Sequence, residues 1–333
     1  MKIAVVGCGA LGSYYGAKLL RDGQEAHFLL RSDYEVVRRK GVEIHSPDGG
    51  FHVQPRCASD PAAIGVCDLV LIGLKTTAND QFRRLLPPLV GPDSAVLTLQ
   101  NGLGNEAQLA ALFPAEQILG GMCFVCLNRV APGVIHHLGH GRIVLGEYQR
   151  RPEPRTNALA AMFDRAGVPC IVTDDLERAH WEKLVWNIPF NGLGVAGTAG
   201  YDSLVLPVVP SSAVRVPRSL RPCLTTDKLL AAPHWEQLVR ELMLEVIAVA
   251  NAMGLSVRQS LAERQIERTR TMGAYRASTL VDFERGQPLE LEGMFLEPLR
   301  CAQRAGAATP RLAALCAVLQ ELESLRLKQQ VSA

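Results

Sequence analysis

Three polar side chains in the second half of the sequence are spaced to project from one face of a helix. Lys183, Asn187 and Asn191 follow one another at intervals of four residues, and each interval advances about 40° beyond one full helical turn. A lysine and two amides in such a row supply hydrogen-bond donors and acceptors without any negative charge. The row suits a substrate with a carbonyl group and a carboxylate, although a solvated helix surface often has the same composition.

Glycines at the start of the chain have the spacing of a nucleotide-binding loop. The pattern G-x-G-x-x-G is formed by Gly7, Cys8, Gly9, Ala10, Leu11 and Gly12. An apolar, β-branched run at 3–6 precedes the loop and a helical pattern follows it through residue 20, which is the context that this motif requires. The glycines permit a tight turn, close approach of a pyrophosphate and close packing of helix on strand. The loop therefore predicts a dinucleotide cofactor.

The residue that follows the second predicted strand indicates which dinucleotide is bound. About 20 residues after the glycines, an acidic side chain would hold the ribose hydroxyls of NAD. This sequence has Arg31 there, followed by Ser32, and a guanidinium group matches a phosphate in charge and geometry. Lys75, at the end of a later strand, adds positive charge on the same side of the sheet. We therefore expect NADP(H), while Asp33 remains a complication and a solvated surface arginine remains the alternative.

The elements that must position these residues fall into two groups. Apolar runs at 3–6, 26–30, 69–74 and 95–99 alternate with helical segments, which predicts a mostly parallel sheet covered by helices. Two shorter strands are expected at 134–137 and 142–145, with a hairpin closing the sheet. After residue 173 the patterns are helical, at 177–190, from 233 to 254, and from 310 onward. The predicted fold is an α/β Rossmann domain at 1–173 followed by an all-α domain at 174–333.

Bulk composition narrows the class of protein. A chain of 333 residues is long enough for two domains, and 48% hydrophobic with 20% charged residues is typical of a globular protein. The net charge of +2 predicts no nucleic-acid or membrane-surface partner. No stretch approaches the roughly 20 apolar residues of a membrane helix, and nine cysteines without a framework spacing favour the cytoplasm. The predicted partner is a small molecule.

Two clusters that suggest metal ligands are better explained as parts of strands. Cys123 and Cys126 form a single pair without a second pair at zinc-site spacing. His136 and His137 are neighbours in a predicted strand, where they face opposite sides of the sheet, and His140 follows in a turn. We therefore predict no metal site.

Four segments together resemble the ketopantoate reductase family, the NADPH-dependent 2-dehydropantoate 2-reductases. They are the glycine loop, Leu-Lys at 74–75, Gln-Asn-Gly-Leu-Gly at 100–104, and Trp-Glu-Lys-Leu-Val-Trp-Asn-Ile-Pro-Phe-Asn at 181–191. The resemblance covers most of the chain, and the Lys-x-x-x-Asn-x-x-x-Asn element is its most specific part. It implies a second domain like the C-terminal domain of 6-phosphogluconate dehydrogenase. Ser278 and Glu290, twelve residues apart, match a late serine and glutamate of that family.

The resemblance implies a role for each polar residue in the reduction of ketopantoate to pantoate, a step of pantothenate and coenzyme A synthesis. Lys183 is the general acid that protonates the carbonyl oxygen, and a buried lysine with a lowered pKa can do this near neutral pH. Asn187 and Asn191 hold the hydroxyl and carbonyl groups of the substrate, and Ser278 binds its carboxylate.

The resemblance also places two residues against the nicotinamide ribose. These are Asn101, after a predicted strand, and Glu290, which additionally orients Lys183. The apolar helical faces of the second domain are compatible with a homodimer.

Three departures from the family pattern lie on the substrate side. Gly192 follows Asn191 where the family usually has proline, and Leu-Glu-Gly-Met-Phe at 291–295 follows Glu290 where the family often has Ile-Asp and then Asn-Gly. A segment at 201–223 with four prolines is predicted to be an inserted loop. These departures leave two alternatives open: a paralogous reductase of a different keto acid or ketone, and a non-catalytic NADPH-binding regulator.

Overall fold

The computed structural model describes residues 1–205, 216–217 and 219–331. The chain forms two compact units, Met1–Ala179 and His180–Ala333. The first unit is a sheet flanked by helices and the second is helical, which confirms the predicted fold class. Among the described residues, no helix is long and apolar enough to cross a membrane.

The first unit contains one ten-stranded sheet. Its strands are β1 (Lys2–Val6), β2 (Glu25–Leu29), β3 (Val42–His45), β4 (Phe51–Val53), β5 (Arg56–Ala58), β6 (Cys67–Ile72), β7 (Val90–Thr98), β8 (Ile118–Ala131), β9 (Val134–Glu147) and β10 (Cys170–Val172). Its helices are α1 (Ala10–Arg21), α2 (Tyr34–Lys40), α3 (Phe82–Leu85), α4 (Asn105–Ala110) and α5 (Pro154–Arg165). The short 3-10 segments are Pro61–Ala63, Thr76–Gln81 and Ala115–Gln117.

The sheet is parallel at its centre. The spatial order is β4-β3-β9-β8-β7-β6-β1-β2-β5, with β10 paired beside β9. Only the pairs β3–β4 and β8–β9 are antiparallel among the described strands. The central strands are apolar on both faces because helices cover them, so they form near-continuous hydrophobic runs.

The late strands differ from their prediction. The segments 134–137 and 142–145 are parts of one strand, β9, and the hairpin joins β9 to β8. His140 and Gly141 interrupt the pattern with positive φ angles of 65° and 133°, and the pairing shifts register at three points. These irregularities let one strand continue through residues that look like a turn in sequence.

The second unit is built from helices of very different length. They are α6 (Leu176–Ala196), which begins just before the boundary, α7 (Asp202–Val205), α8 (Thr226–Ala231), α9 (Pro233–Ala252), α10 (Ser260–Arg270), α11 (Ser278–Glu284), α12 (Glu297–Arg304) and α13 (Pro310–Val331). A 3-10 turn at Gly197–Ala199 follows α6, and a π-helix at Glu292–Leu296 precedes α12. The apolar stripe of α9 is buried at Leu238, Leu242 and Val246, as its helical spacing predicts.

The predicted inserted loop at 201–223 is described only in part. Residues 206–215 and 218 of that prediction lie outside the described residues. The described beginning contains the one-turn helix α7, which the prediction of no helix missed. The described end contacts the 3-10 turn that follows α6, because the Arg221 N–H donates to the Thr198 carbonyl at 2.9 Å; just beyond the segment, the Leu224 N–H donates to the Gly194 carbonyl of α6 at 3.0 Å.

Candidate active site

Four predicted cofactor positions follow four adjacent strands at one edge of the sheet. The strands end in register: Val6 of β1 pairs with Leu29 of β2 and with Ile72 of β6, and Ile72 pairs with Thr98 of β7. Because these strands are parallel, the segments that follow them lie along the same edge of the sheet. Neighbouring strands are about 4.8 Å apart, so neighbouring segments begin at a similar distance from each other. Along this edge lie, in spatial order, Asn101 after β7, Lys75 after β6, Gly7 after β1 and Arg31 after β2, and we call it the cofactor edge.

The glycine loop has the backbone geometry that the sequence predicts. Gly7 has a φ of +93°, and an added Cβ would lie 2.3 Å from the backbone nitrogen of Leu74. An added Cβ on Gly12 would lie 2.3 Å from the Gly7 carbonyl oxygen. Neither position can hold a side chain: Gly7 because of its positive φ and the nearby backbone, and Gly12 because helix and strand pack closely there, as the sequence motif predicts.

The residues of the loop fit a dinucleotide. An added Cβ on Gly9 would meet no atom within 4 Å, so the space above the loop is open where a pyrophosphate approaches. Gly9 caps α1 without a side-chain hydrogen bond, and the first turn of α1 has no acidic residue. The N–H groups at this helix end are thus left for an anion, and the helix dipole favours one there.

Cys8 adds no charge to the loop. Its thiol donates to the Val5 carbonyl at 3.4 Å, and its own carbonyl accepts from the Ser13 hydroxyl at 3.0 Å. Burial raises the pKa of the Cys8 thiol well above its ordinary value, and nearby Cys57 and Asp33 raise it further. The thiol is therefore neutral near pH 7, so it does not repel a bound phosphate.

A chain of amides supports the segments that carry Lys75 and Asn101. The Gln100 amide donates to Asn79 at 2.7 Å, and the Asn79 amide donates to Asn105 at 3.0 Å. Asn105 in turn donates to the carbonyl of Asn101 at 3.1 Å. The sequence analysis missed Asn79 and Asn105, although each is a polar residue that follows a predicted buried strand within a few positions, which is the signal that could have found them.

In the second unit, α6 carries the predicted row of polar residues. Lys183 is half-buried, whereas Asn187 and Asn191 are buried. Apolar contacts hold the rest of the helix, and polar ones add to them: the indole N–H of Trp186, for example, donates to the Thr269 hydroxyl of α10 at 2.9 Å. The row is therefore not a solvated surface, because two of its three members are removed from solvent.

Asn191 and Ser278 are brought together although they are 87 positions apart. The Asn191 side-chain carbonyl accepts a hydrogen bond from the Ser278 hydroxyl at 3.2 Å and another from the Thr279 backbone N–H at 3.1 Å. These two bonds direct the Asn191 oxygen toward α11, which leaves its NH₂ group to donate elsewhere. We call the group Lys183, Asn187, Asn191 and Ser278 the helical polar face.

Two of the sequence departures pack against each other. An added Cβ on Gly192 would lie 2.6 Å from Leu315 of α13 and 3.0 Å from the Phe295 ring. Phe295 belongs to the π-helix at Glu292–Leu296, which begins two residues after the half-buried Glu290. Gly192, where the resemblance predicts a proline, thus leaves room for the segment that follows Glu290. Such π-helical turns are frequent at functional sites.

The cysteines and histidines whose spacing suggests metal ligands lie in the β8–β9 hairpin. Cys123 and Cys126 are in β8, and His136, His137 and His140 are in β9. His137 is buried and its ring nitrogens contact the Ser46 hydroxyl at 2.8 Å and the His140 carbonyl at 3.0 Å. Within residues 1–205, 216–217 and 219–331, no three His, Cys, Asp or Glu side chains are grouped as metal ligands.

Comparison with known proteins gives the same family in both units. Residues 3–150 match the family model described as "Ketopantoate reductase PanE/ApbA", and residues 222–323 match "Ketopantoate reductase PanE/ApbA C terminal". A 2-dehydropantoate 2-reductase of Nostoc sp. is 39% identical, covering 97% of this chain and 95% of its own length. One of Halobacterium salinarum is 31% identical, over 88% of this chain and 89% of its own.

A solved structure is similar along the whole chain. The crystal structure of 2-dehydropantoate 2-reductase from Geobacter metallireducens has a TM-score of 0.86 and 46% identity. The match covers 96% of this chain and 99% of that one. Both the sequence and the arrangement of elements are therefore shared with the same kind of enzyme.

Proposed function

The chain belongs to the ketopantoate reductase family of NADP-dependent oxidoreductases, and we propose that it reduces a 2-keto acid to the 2-hydroxy acid, with ketopantoate as the default substrate. In this proposal residues 1–173 bind NADP(H) and residues 174–333 bind the keto acid. NADPH supplies the hydride that the carbonyl carbon receives. The remaining task of the chain is to hold the keto acid and to deliver a proton to its oxygen.

The contact of Asn191 with Ser278 and Thr279 is the observation that carries this proposal. It joins the most specific part of the family pattern to the late serine. Asn191 and its bond to the Thr279 N–H are buried, where hydrogen bonds are worth more than in water, whereas Ser278 is exposed and its bond to Asn191 is partly buried. The Thr279 N–H holds the Asn191 amide whether or not Ser278 does. The Ser278 hydroxyl is therefore able to turn from Asn191 to a substrate carboxylate without loss of the amide orientation.

Lys183 is assigned as the general acid. It is half-buried on the same face of α6 as Asn187 and Asn191, so its ammonium group reaches the same substrate. A proton delivered to the carbonyl oxygen neutralises the charge that forms there as hydride arrives at carbon. We assign Glu290 to the orientation of Lys183 and, with Asn101, to the nicotinamide ribose.

At the cofactor edge, we assign the pyrophosphate to the segment Gly7–Gly12 and the 2′-phosphate to Arg31 and Lys75. Arg31 and Lys75 are both exposed at the carboxyl ends of their strands. Their positive charges face an edge that has no acidic residue in the first turn of α1. This distribution of charge favours a phosphorylated cofactor.

A panel of 2-keto acids tests the proposed function. Purified full-length protein is incubated with NADPH and ketopantoate, pyruvate, 2-ketoisovalerate or phenylpyruvate, and NADPH consumption is followed by its absorbance. We expect the highest kcat/KM with ketopantoate. Tight NADPH binding without turnover on any member of the panel would establish the regulator alternative and overturn the enzyme assignment.

A reductase of another keto acid is supported by the Gly192–Phe295 contact. Both residues belong to departures from the family pattern; Gly192 directly follows Asn191, and Phe295 lies in the π-helix that begins two residues after Glu290. A changed contact beside Asn191 would alter how the helical polar face is supported and leave the proton donor Lys183 in place. The panel separates the two cases, because a kcat/KM for another keto acid well above that for ketopantoate favours this alternative.

We further propose that the protein acts in the cytoplasm, in pantothenate synthesis, and as a homodimer. Buried free thiols such as Cys67, Cys301 and Cys316 suit a reducing compartment. Exposed apolar side chains, Leu244 and Leu327 on the long helices and Met253 just after α9, offer surface for association of two copies. Sedimentation equilibrium at micromolar concentration tests the dimer.

A further inference from the structure

Asp33 is a buried acidic residue at the place where a Rossmann unit discriminates between cofactors. It follows β2 directly after Arg31 and Ser32, which are exposed, while Asp33 itself is only 6% exposed. It occupies the N-cap position of α2, yet its side chain makes no capping hydrogen bond. An aspartate at an N-cap normally bonds the helix end, so this carboxylate is used for something else.

Both oxygens of the Asp33 carboxylate are engaged. One oxygen accepts a hydrogen bond from the Ser32 hydroxyl at 2.9 Å. The other oxygen forms an ion pair with the guanidinium group of Arg129. Because each oxygen already has a partner and the charge is paired with Arg129, Asp33 is a poorer acceptor for the ribose hydroxyls of NAD than a free carboxylate would be.

Arg129 comes from a distant part of the first unit. It lies near the end of β8, next to the turn of the β8–β9 hairpin, and its side chain is 43% exposed. The hairpin is held beside α2 by the parallel pairing of β9 with β3, and the Glu43 N–H donates to the Gly133 carbonyl at 2.8 Å. The fold thus delivers a second guanidinium group to the end of β2 that already carries Arg31.

The ion pair is close to the cofactor loop. The Asp33 carboxylate is near enough to Cys8, inside the glycine loop, to contribute to the raised pKa of its thiol. Strand β1, which leads into the loop that contains Cys8, pairs with β2 in register through Val6 and Leu29. Asp33 and Arg129 therefore lie at the edge where the adenosine ribose of a dinucleotide is bound.

We infer that the Asp33–Arg129 ion pair determines the preference for the phosphorylated cofactor. Arg129 neutralises a carboxylate that would otherwise repel a 2′-phosphate and accept the ribose hydroxyls, and its guanidinium adds positive charge beside Arg31. Arg129 is thus a specificity-determining residue, and Asp33 is the carboxylate whose negative charge it neutralises. This inference rests on the proposed use of NADPH and extends it to residues outside the glycine loop and Arg31.

Binding of 2′,5′-ADP and 5′-AMP tests the inference without any turnover. Isothermal titration with the full chain compares the unsubstituted protein with Arg129→Ala, Arg129→Lys and Asp33→Asn. Arg142→Ala is the matched control, since Arg142 lies in the same hairpin and stacks on the Phe124 ring at 4.6 Å. Steady-state kcat/KM for NADPH and NADH is measured in parallel.

We expect Arg129→Ala to weaken 2′,5′-ADP binding by about tenfold or more, the loss typical of a charge-assisted contact, and to leave or improve 5′-AMP binding. Arg129→Lys retains most of the preference. Asp33→Asn maintains or increases 2′,5′-ADP affinity, because it removes the negative charge and keeps the shape. Arg142→Ala leaves the ratio of the two affinities unchanged.

The results also separate this inference from the proposed function. An equal loss for both ligands in Arg129→Ala, or no change in their ratio, means that the ion pair only holds the hairpin, and overturns the inference. If Arg129→Ala does not fold, a fall in 2′,5′-ADP affinity in Asp33→Asn or a lost preference in Arg129→Lys overturns it instead. A protein that prefers 5′-AMP before any substitution contradicts the proposed use of NADPH itself.

Discussion

The cofactor edge of the first unit and the helical polar face of the second unit are built in opposite ways. The edge is made of backbone: strand ends in register, and glycines whose added Cβ atoms would collide with main chain at 2.3 Å. The face is made of side chains, and its central contact joins Asn191 to residues 87 and 88 positions away. Substitutions should therefore disturb folding at the edge and chemistry at the face.

The largest effect is expected for Lys183→Ala at the helical polar face. Loss of a positioned general acid typically costs about 10²- to 10⁴-fold in rate, so kcat should fall by that range while NADPH binding is kept. Stopped-flow and steady-state kinetics with the best keto acid measure it, with Lys228→Ala as a control on an exposed lysine of the same unit. Full activity in Lys183→Ala would refute the assignment.

At the edge, Gly7→Ala should act mainly on stability. The new Cβ would collide with the Leu74 backbone and would require a side chain at φ +93°, and strain with overpacking of this kind costs about 3 kcal/mol. Chemical denaturation measures the free energy of unfolding. An unchanged midpoint would show that the loop is not constrained as the structure indicates.

Gly9→Ala, in the same loop as Gly7, should affect cofactor binding and not stability. Its Cβ meets no atom within 4 Å, so stability should change little, whereas NADPH affinity should fall about tenfold because the pyrophosphate needs that space. Gly139→Ala is matched to it, since Gly139 also has no atom within 4 Å and no positive φ. Equal NADPH affinities in the two variants would contradict the fit of the cofactor to this loop.

The ease of predicting the two regions follows from the same difference. A strand, a glycine loop and a helix are contiguous, so residues 3–21 alone contain the information for that part of the edge, and Arg31 follows from the spacing. The contact between Asn191 and Ser278 cannot be predicted without knowledge of the tertiary structure, and only the family resemblance pointed to both residues. Local sequence contains no signal for the Arg129 partner of Asp33, because the two are 96 positions apart.

Where the predicted elements differ from the observed ones, the cause is local. Glycines and histidines at 136–141 look like a turn, but positive φ angles and register shifts absorb them within one strand. The π-helix at Glu292–Leu296 depends on how Phe295 packs against Gly192, which no periodicity reveals. Long helices with a clear apolar stripe, such as α9 and α13, were predicted within a few residues, since their burial is periodic.

Gly192→Ala tests whether the helical polar face, like the cofactor edge, depends on a glycine that packs too closely for a side chain. The Cβ would lie 2.6 Å from Leu315, and overpacking of a buried site costs about 1–3 kcal/mol. We expect a loss of about 2 kcal/mol in the free energy of unfolding, partly recovered by Leu315→Val, which shortens the colliding side chain. No loss in Gly192→Ala, or no recovery in the double variant, would argue against this contact.

The smallest effect is expected for Ser278→Ala. The Thr279 N–H still holds Asn191 at 3.1 Å, so kcat should stay within a few-fold, while KM for the keto acid should rise about tenfold through loss of one hydrogen bond to a carboxylate. Ser203→Ala, in α7, is the control. A fall in kcat with unchanged KM would show that Ser278 acts on the transition state and does not bind the carboxylate.

The central claim is that hydride passes from NADPH to the carbonyl carbon of a 2-keto acid on this chain. Turnover of ketopantoate with NADPH deuterated at the transferable position of nicotinamide C4 tests it directly, with the product analysed by mass spectrometry and NMR. The account predicts a 2-hydroxy acid that carries one deuterium on the carbon next to the carboxylate. NADPH consumption without deuterium at that carbon would contradict it.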